Sequence, residues 1–204
     1  MESAQAGLLQ SETVLIITNS EMSGFKKSMQ IFSEALAAAS INQITVMSCA
    51  GEARRALMQN HFDIVIIDMP LADESGESLA RHIAVKYLTQ VILAVNSELF
   101  NAVSAVCQED GVLVISKPAD KNFFWSALSL ARSVSKKFKR IQNENVKLKQ
   151  KIEDIRIIDR AKCLLISYLN LTEQESHRFI EKQAMDLRST KRAIAEEILK
   201  TYAN

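Results

Sequence analysis

An α/β domain wound on a parallel sheet, then a long helix, then a small all-α module is the architecture predicted for this 204-residue sequence, and three observations predict it. Between Thr13 and about Val134, five short runs of continuous apolar residues alternate with amphipathic stretches of helical spacing. From Phe124 to Tyr168 a helical pattern continues without glycine or proline and carries a heptad in its middle. From Ile158 to Leu199, apolar residues return at three- and four-residue spacing in three short blocks, with cations where the first and third blocks begin.

The five runs are Val14–Ile17, Ile44–Met47, Ile64–Ile67, Val91–Val95 and Val112–Ile115. Runs apolar on both faces suit strands buried in a parallel sheet, and such strands need crossover helices between them. Phe25–Ala39, Glu52–Asn60, Glu77–Tyr87 and Leu99–Cys107 have the spacing to supply these crossovers. Five strands in right-handed βαβ alternation give a flavodoxin-like domain, whose sites sit at the carboxyl ends of the strands. The organisation expected is a tail at 1–12, the α/β domain at 13–128, a coiled-coil linker helix at 129–157 and the all-α module at 158–204, with a start near 143 also compatible.

Composition excludes several classes. Hydrophobic residues at 48% and charged residues at 24% are those of a soluble chain with a real core. No apolar run approaches the roughly 20 residues that span a bilayer, and the first ten residues lack the pattern of a signal peptide. Cys49, Cys107 and Cys163 are scattered, as are His61, His82 and His177, so reduced thiols, no metal site and a cytoplasmic location are expected. No nucleophile–base pair appears, so no enzymatic activity is expected. The net charge of +1 conceals an asymmetry: residues 1–135 hold 9 Lys/Arg against 14 Asp/Glu, and residues 136–204 hold 16 against 10. An acidic body with a basic end fits a sensor joined to a nucleic-acid-binding module, and equally a solvated basic helix.

At the strand ends, Asp68 closes the third run, Gly76 follows eight residues later, and Lys117-Pro118 follows the fifth run. This set resembles the receiver domain of response regulators over about 120 residues. The resemblance implies that Asp68 is the candidate phosphoacceptor, that Lys117 is the lysine that pairs with the phosphoryl group, and that the peptide before Pro118 is often cis. The sequence departs from the family where receivers place two metal-binding acids. That position reads Thr18-Asn19-Ser20, with Glu21 beside it. Mg²⁺ wants hard, charged oxygen ligands, so no cofactor, Mg²⁺ included, is expected. The hydroxyl due after the fourth strand has only Ser97 near its place, and Pro70 comes two residues after Asp68 rather than four. Asp68 is therefore open to two readings: a phosphorylated residue, or a strand-end carboxylate held by Lys117 in a degenerate receiver.

In the long helix, Val134, Ile141, Leu148 and Ile155 fall seven apart, as do Phe138, Asn145 and Ile152 on the adjoining row. Alternating gaps of three and four make a coiled-coil seam, and one Asn among its apolar positions favours a parallel two-stranded coil in fixed register. The competing reading is a single amphipathic helix folded back on its own domain.

The final segment contains Arg160-Ala161-Lys162, Leu164-Leu165, Lys182-Gln183-Ala184-Met185-Asp186 and Lys191-Arg192 in a three-helix pattern. It resembles the ANTAR domain (AmiR and NasR transcription antitermination regulator) over nearly all of the last 45 or so residues, with Cys163 where the family usually has glycine. Thr172–Glu175 reads as a capping box, and Leu164, Leu165, Phe179, Ile180, Ala184, Ile194 and Ile198 read as the core. The resemblance implies binding to RNA hairpins of nascent transcripts. Candidate contacts are Arg160, Lys162, Lys182, Gln183, Arg188, Ser189, Lys191 and Arg192. The expected protein is a homodimeric antitermination regulator whose amino-terminal domain is controlled by a sensor kinase, a regulatory protein or a ligand. A DNA-binding response regulator and a protein-interaction scaffold are the rival readings.

Overall fold

The structure, a computed structural model, describes residues 12–202. Most of the tail expected at 1–12 therefore lies outside the described residues.

Five parallel strands form one sheet in the order β2-β1-β3-β4-β5. They are β1 (Thr13–Thr18), β2 (Gln43–Met47), β3 (Ile64–Asp68), β4 (Gln90–Asn96) and β5 (Leu113–Lys117). Each lies within two residues of an apolar run in the sequence, because Val- and Ile-rich segments fit a pleated surface covered on both faces. The connecting helices are α1 (Phe25–Ala38), α2 (Ala50–Gln59), α3 (Glu77–Lys86) and α4 (Phe100–Cys107). Side chains alternate along each strand, so the sheet has two cores. Leu15, Ile17, Val65, Ile67 and Leu93 pack with α2, α3 and α4. Val14, Ile16, Ile64, Ile66 and Ile92 pack with Phe32 and Leu36 of α1 and with Phe124 and Leu128 of the next helix.

The second run departs from expectation: β2 is an edge strand, with Ile44 and Val46 exposed. An apolar run specifies a strand but not whether anything covers it.

The helix α5 runs unbroken from Lys121 to Leu169, 49 residues, so the linker helix and the first helix of the carboxy-terminal module are one element. Then come α6 (Glu173–Asp186) and α7 (Lys191–Tyr202). The described residues fall into two compact units, one up to Lys139 and one from Arg140 onward. In the second unit, Thr172 and Glu175 make the capping box: the Thr172 side chain accepts from Glu175 N, and Glu175 Oε2 accepts from Thr172 N at 2.8 Å. The core differs in two members. Leu165, Ile180, Ala184, Ile194 and Ile198 are buried, but Leu164 is only partly buried and Phe179 is exposed. Ala161 and Ala195 take the closest-packed positions instead, since small residues let the short helices approach.

Candidate functional site

The carboxyl ends of four strands converge on Asp68, which pairs in register with Thr18 of β1 and Ala94 of β4, while Asn96 pairs with Lys117. Asp68 is 6% exposed, and both its oxygens are engaged. Lys117 Nζ donates to Oδ1 at 2.7 Å and also to the Met69 carbonyl. Thr18 Oγ1 donates to Oδ2 at 3.3 Å. The Lys117–Pro118 peptide is cis, and so is Met69–Pro70. Gly76 caps α3 at φ 95°, a conformation that favours glycine, and a Cβ there would crowd Met69 Cγ at 3.0 Å and Ile67 Cγ2 at 3.2 Å.

Around Asp68 the other oxygen donors are neutral. Asn19 turns its Oδ1 to Glu21 N at 3.0 Å, and Glu21 is exposed. Among the described residues no three His, Cys, Asp or Glu side chains come together. One carboxylate already neutralised by a lysine does not fit Mg²⁺, which takes its affinity from charged oxygens. Ser97 lies in the turn after β4, outside the cavity at the strand ends, whose wall there is Ala94 and Asn96.

Two carboxylates near this end and the opposite end of the sheet were not singled out from the sequence. Asp73 accepts from the backbone N–H groups of Ala50 (2.8 Å) and Gly51 (2.9 Å), which hold its carboxyl below the usual range. It pins the β3–α3 loop to the start of α2. Asp63, 3% exposed, lies before β3 with Lys139 Nζ of α5 at 2.5 Å from Oδ1 and Thr13 N at 3.0 Å from Oδ2. Burial pushes the Asp63 carboxyl up, but the hydrogen bonds from Lys139 and Thr13 outweigh it, and the result lies below the ordinary value. In both cases the partners are too far apart in sequence for any local pattern to reveal them.

The seam residues of α5 beyond the sheet are solvent-exposed: Phe138 47%, Ile141 43%, Leu148 55%, Ile152 52% and Ile155 58%. Asn145 is exposed between them, and Val134 is partly buried. Among the described residues, none buries the row from Ile141 to Ile155, which is more apolar than a solvated helix face usually is.

The cations of the carboxy-terminal unit fall into two groups. Lys162 pairs with Asp159 (2.7 Å) and Glu173 (2.9 Å), which hold its ammonium above the usual value. Lys191 pairs with Glu181, and Arg192 with Asp154 (2.7 Å) and Glu196 (2.8 Å). Arg160, Lys182 and Arg188 are exposed and make no ion pair among the described residues. Arg188 has φ 48° and closes α6, with Ser189 N donating to the Ala184 carbonyl at 2.9 Å. Ser189 and Thr190 follow on the exposed turn; Thr190 Oγ1 accepts from Ala193 N at 3.2 Å and so caps α7, while Gln183 is partly buried. Tyr168 and Tyr202 stack with ring centroids 5.4 Å apart.

The ANTAR domain family matches residues 146–199. The transcriptional regulatory protein PdtaR of Mycobacterium tuberculosis is 26% identical over 139 residues, 68% of each chain. The aliphatic amidase regulator of Pseudomonas aeruginosa is 29% identical over 86 residues, 42% of this chain and 44% of that one. Among solved structures, a signal receiver domain of an HD domain-containing protein from Pseudomonas fluorescens Pf-5 aligns with TM-score 0.55 at 18% identity, covering 67% of this chain and 98% of that one. A two-component transcriptional regulator from Clostridium phytofermentans aligns with TM-score 0.55 at 16% identity, covering 63% of this chain and 98% of that one. Among the described residues no helix is long and apolar enough to cross a membrane. Residues 146–199 thus match the ANTAR domain, and the unit ahead of them has the fold of signal receiver domains.

Proposed function

We propose that the chain is a dimeric transcription antiterminator whose carboxy-terminal units bind hairpins in nascent RNA under control of the receiver-fold domain. The observation that carries this reading is the ANTAR match over 146–199, together with the names of the relatives, which are regulators. The exposed, unpaired Arg160, Lys182 and Arg188 support it, since phosphate contacts supply most of the affinity in such complexes. Lys162, Lys191 and Arg192 fasten α5, α6 and α7 through ion pairs; those of Lys191 and Arg192 are exposed enough to exchange a carboxylate for a phosphate at small cost, while the Lys162 side chain is largely covered. Gln183 and Ser189 remain the polar groups for reading splayed bases.

The dimer is supported by the heptad row from Val134 to Ile155, exposed from Phe138 onward, with Asn145 setting the register. Two carboxy-terminal units then engage two hairpins, and the RNA is held in a form that excludes a terminator stem. Control at the amino-terminal domain comes from a regulatory protein or ligand rather than from metal-dependent phosphorylation, because Asp68 lacks acidic neighbours and has both oxygens occupied.

Selection of RNAs bound by the purified full chain is the test. A recovered hairpin class whose binding weakens steeply with salt supports the reading. Equal retention of duplex DNA would favour the DNA-binding alternative, and retention of neither would leave a protein scaffold.

A further inference from the structure

At the strand ends, where a receiver would hold its metal and phosphoryl group, there is a cavity of about 290 Å³ between the start of α1 and the loop joining β5 to α5. This is just below the roughly 300–1,000 Å³ found for drug-sized ligand sites, which suits a smaller molecule. Its floor is apolar, with the buried Phe32 and Ile115, and its rim carries Met22 beside the polar Lys27, Ser28 and Asn96. Neither face is explained by the RNA-binding reading.

Charge narrows the ligand. Asp68 and Lys117 lie 2.7 Å apart and neutralise each other. Lys27 is exposed at the rim and has no ion pair among the described residues, so the cavity carries one uncompensated positive charge. Ser23 and Gly24 also line it, and there α1 begins with no side-chain cap and no acidic residue in its first turn, leaving N–H groups that favour an anion. With Asp68 and Lys117 offsetting each other, the one remaining positive charge matches a monoanion better than a phosphoryl dianion. A monoanion with an apolar body matches both the charge and the floor.

We infer that this cavity is a binding site for a small organic carboxylate with a short apolar body, in place of the metal and phosphoryl group of a receiver. Pro118 and Ala119 form part of its wall and lead within two residues into α5 at Lys121, so an occupant touches the loop from which the long helix starts. Binding itself does not depend on the RNA reading; only its regulatory use does.

The experiment titrates the full chain with hexanoate and benzoate, and in parallel with the neutral hexanamide and benzamide, by calorimetry and thermal shift. Saturable binding of at least one acid in the millimolar range or tighter, with its amide about tenfold weaker, is expected. Lys27→Gln, an exposed change that leaves the core intact, should remove that tenfold preference, and Ser28→Phe should fill the cavity and abolish binding. No saturable binding of either acid, equal affinity for acid and amide, or an unchanged preference in Lys27→Gln would overturn the inference. So would Mg²⁺-dependent labelling of Asp68 by acetyl phosphate, which would show that the cavity accepts a phosphoryl dianion.

Discussion

Arg188 occupies a left-handed backbone conformation, φ 48°, which a residue with a Cβ enters at a cost of roughly 1 kcal/mol. Glycine is the usual solution at a helix end of this kind. An arginine there holds a cation out on the turn at some cost in stability. Replacing it separates fold from function. Arg188→Gly should leave the thermal midpoint unchanged or raise stability by up to about 1 kcal/mol, while weakening RNA binding and flattening its salt slope by about one unit. Paired loss of stability and binding would make Arg188 a structural residue. Asp63 shows the opposite case, a charge committed to the fold. Its carboxyl is depressed by the Lys139 and Thr13 hydrogen bonds against the effect of burial. Its contribution is therefore complete above the ordinary carboxylate range, near pH 4, and is lost as pH falls through the depressed value. Asp63→Asn should cost about 1–3 kcal/mol in urea unfolding at pH 7, and the gap to wild type should close progressively below about pH 4.

The elements differ in how much of them could be read from sequence. All five strands and the helices between them were legible, because β-branched runs and amphipathic spacing are local signals. The fate of β2 was not, since edge position depends on strand order rather than on the run itself. Phe179 was misplaced for a related reason: helical spacing marks a face, and at its margin only the contacts of α5 and α7 decide what is covered. Asp68 and Lys117 stood out through the resemblance to receivers at the strand ends, whereas Arg192–Asp154 and Asp63–Lys139 join residues whose separation carries no periodic trace. The heptad on α5 was visible, and its exposure turns a pattern into a prediction. Leu148, 55% exposed, gains nothing from an isolated helix. In a coil it would be a buried knob, and a lysine there would bring two unpaired charges into the seam. Leu148→Lys should change the mass by light scattering from dimer to monomer with little loss of helix content. A wild-type chain that is already monomeric would reject the coil.

Charge is divided unevenly along the whole molecule, net −5 over residues 1–135 and +6 over 136–204. Under the proposed function, an acidic domain on the same chain would oppose RNA in two separable ways: by its field, or by keeping the helix in a form that does not dimerise. The second has a physical basis within the receiver-fold unit itself. Val134 lines a hollow with Leu113 and Val114 of β5, and Phe138 lines another with Tyr87 and Leu88, so the first two seam positions border the domain that would control them. Removing residues 1–133 keeps the seam from Val134 onward and frees these positions. The shortened chain should bind RNA without any inducing partner or ligand, and more tightly than the full chain. Field effects are screened within about 8 Å at physiological ionic strength and further at higher salt. If the gain in affinity persists when salt is raised severalfold, coil assembly is the control. If it fades in step with the screening, the acidic domain acts only through its charge. A shortened chain that remains dimeric by light scattering yet no longer binds RNA would show that the receiver-fold domain is needed for recognition, and the control model would fail.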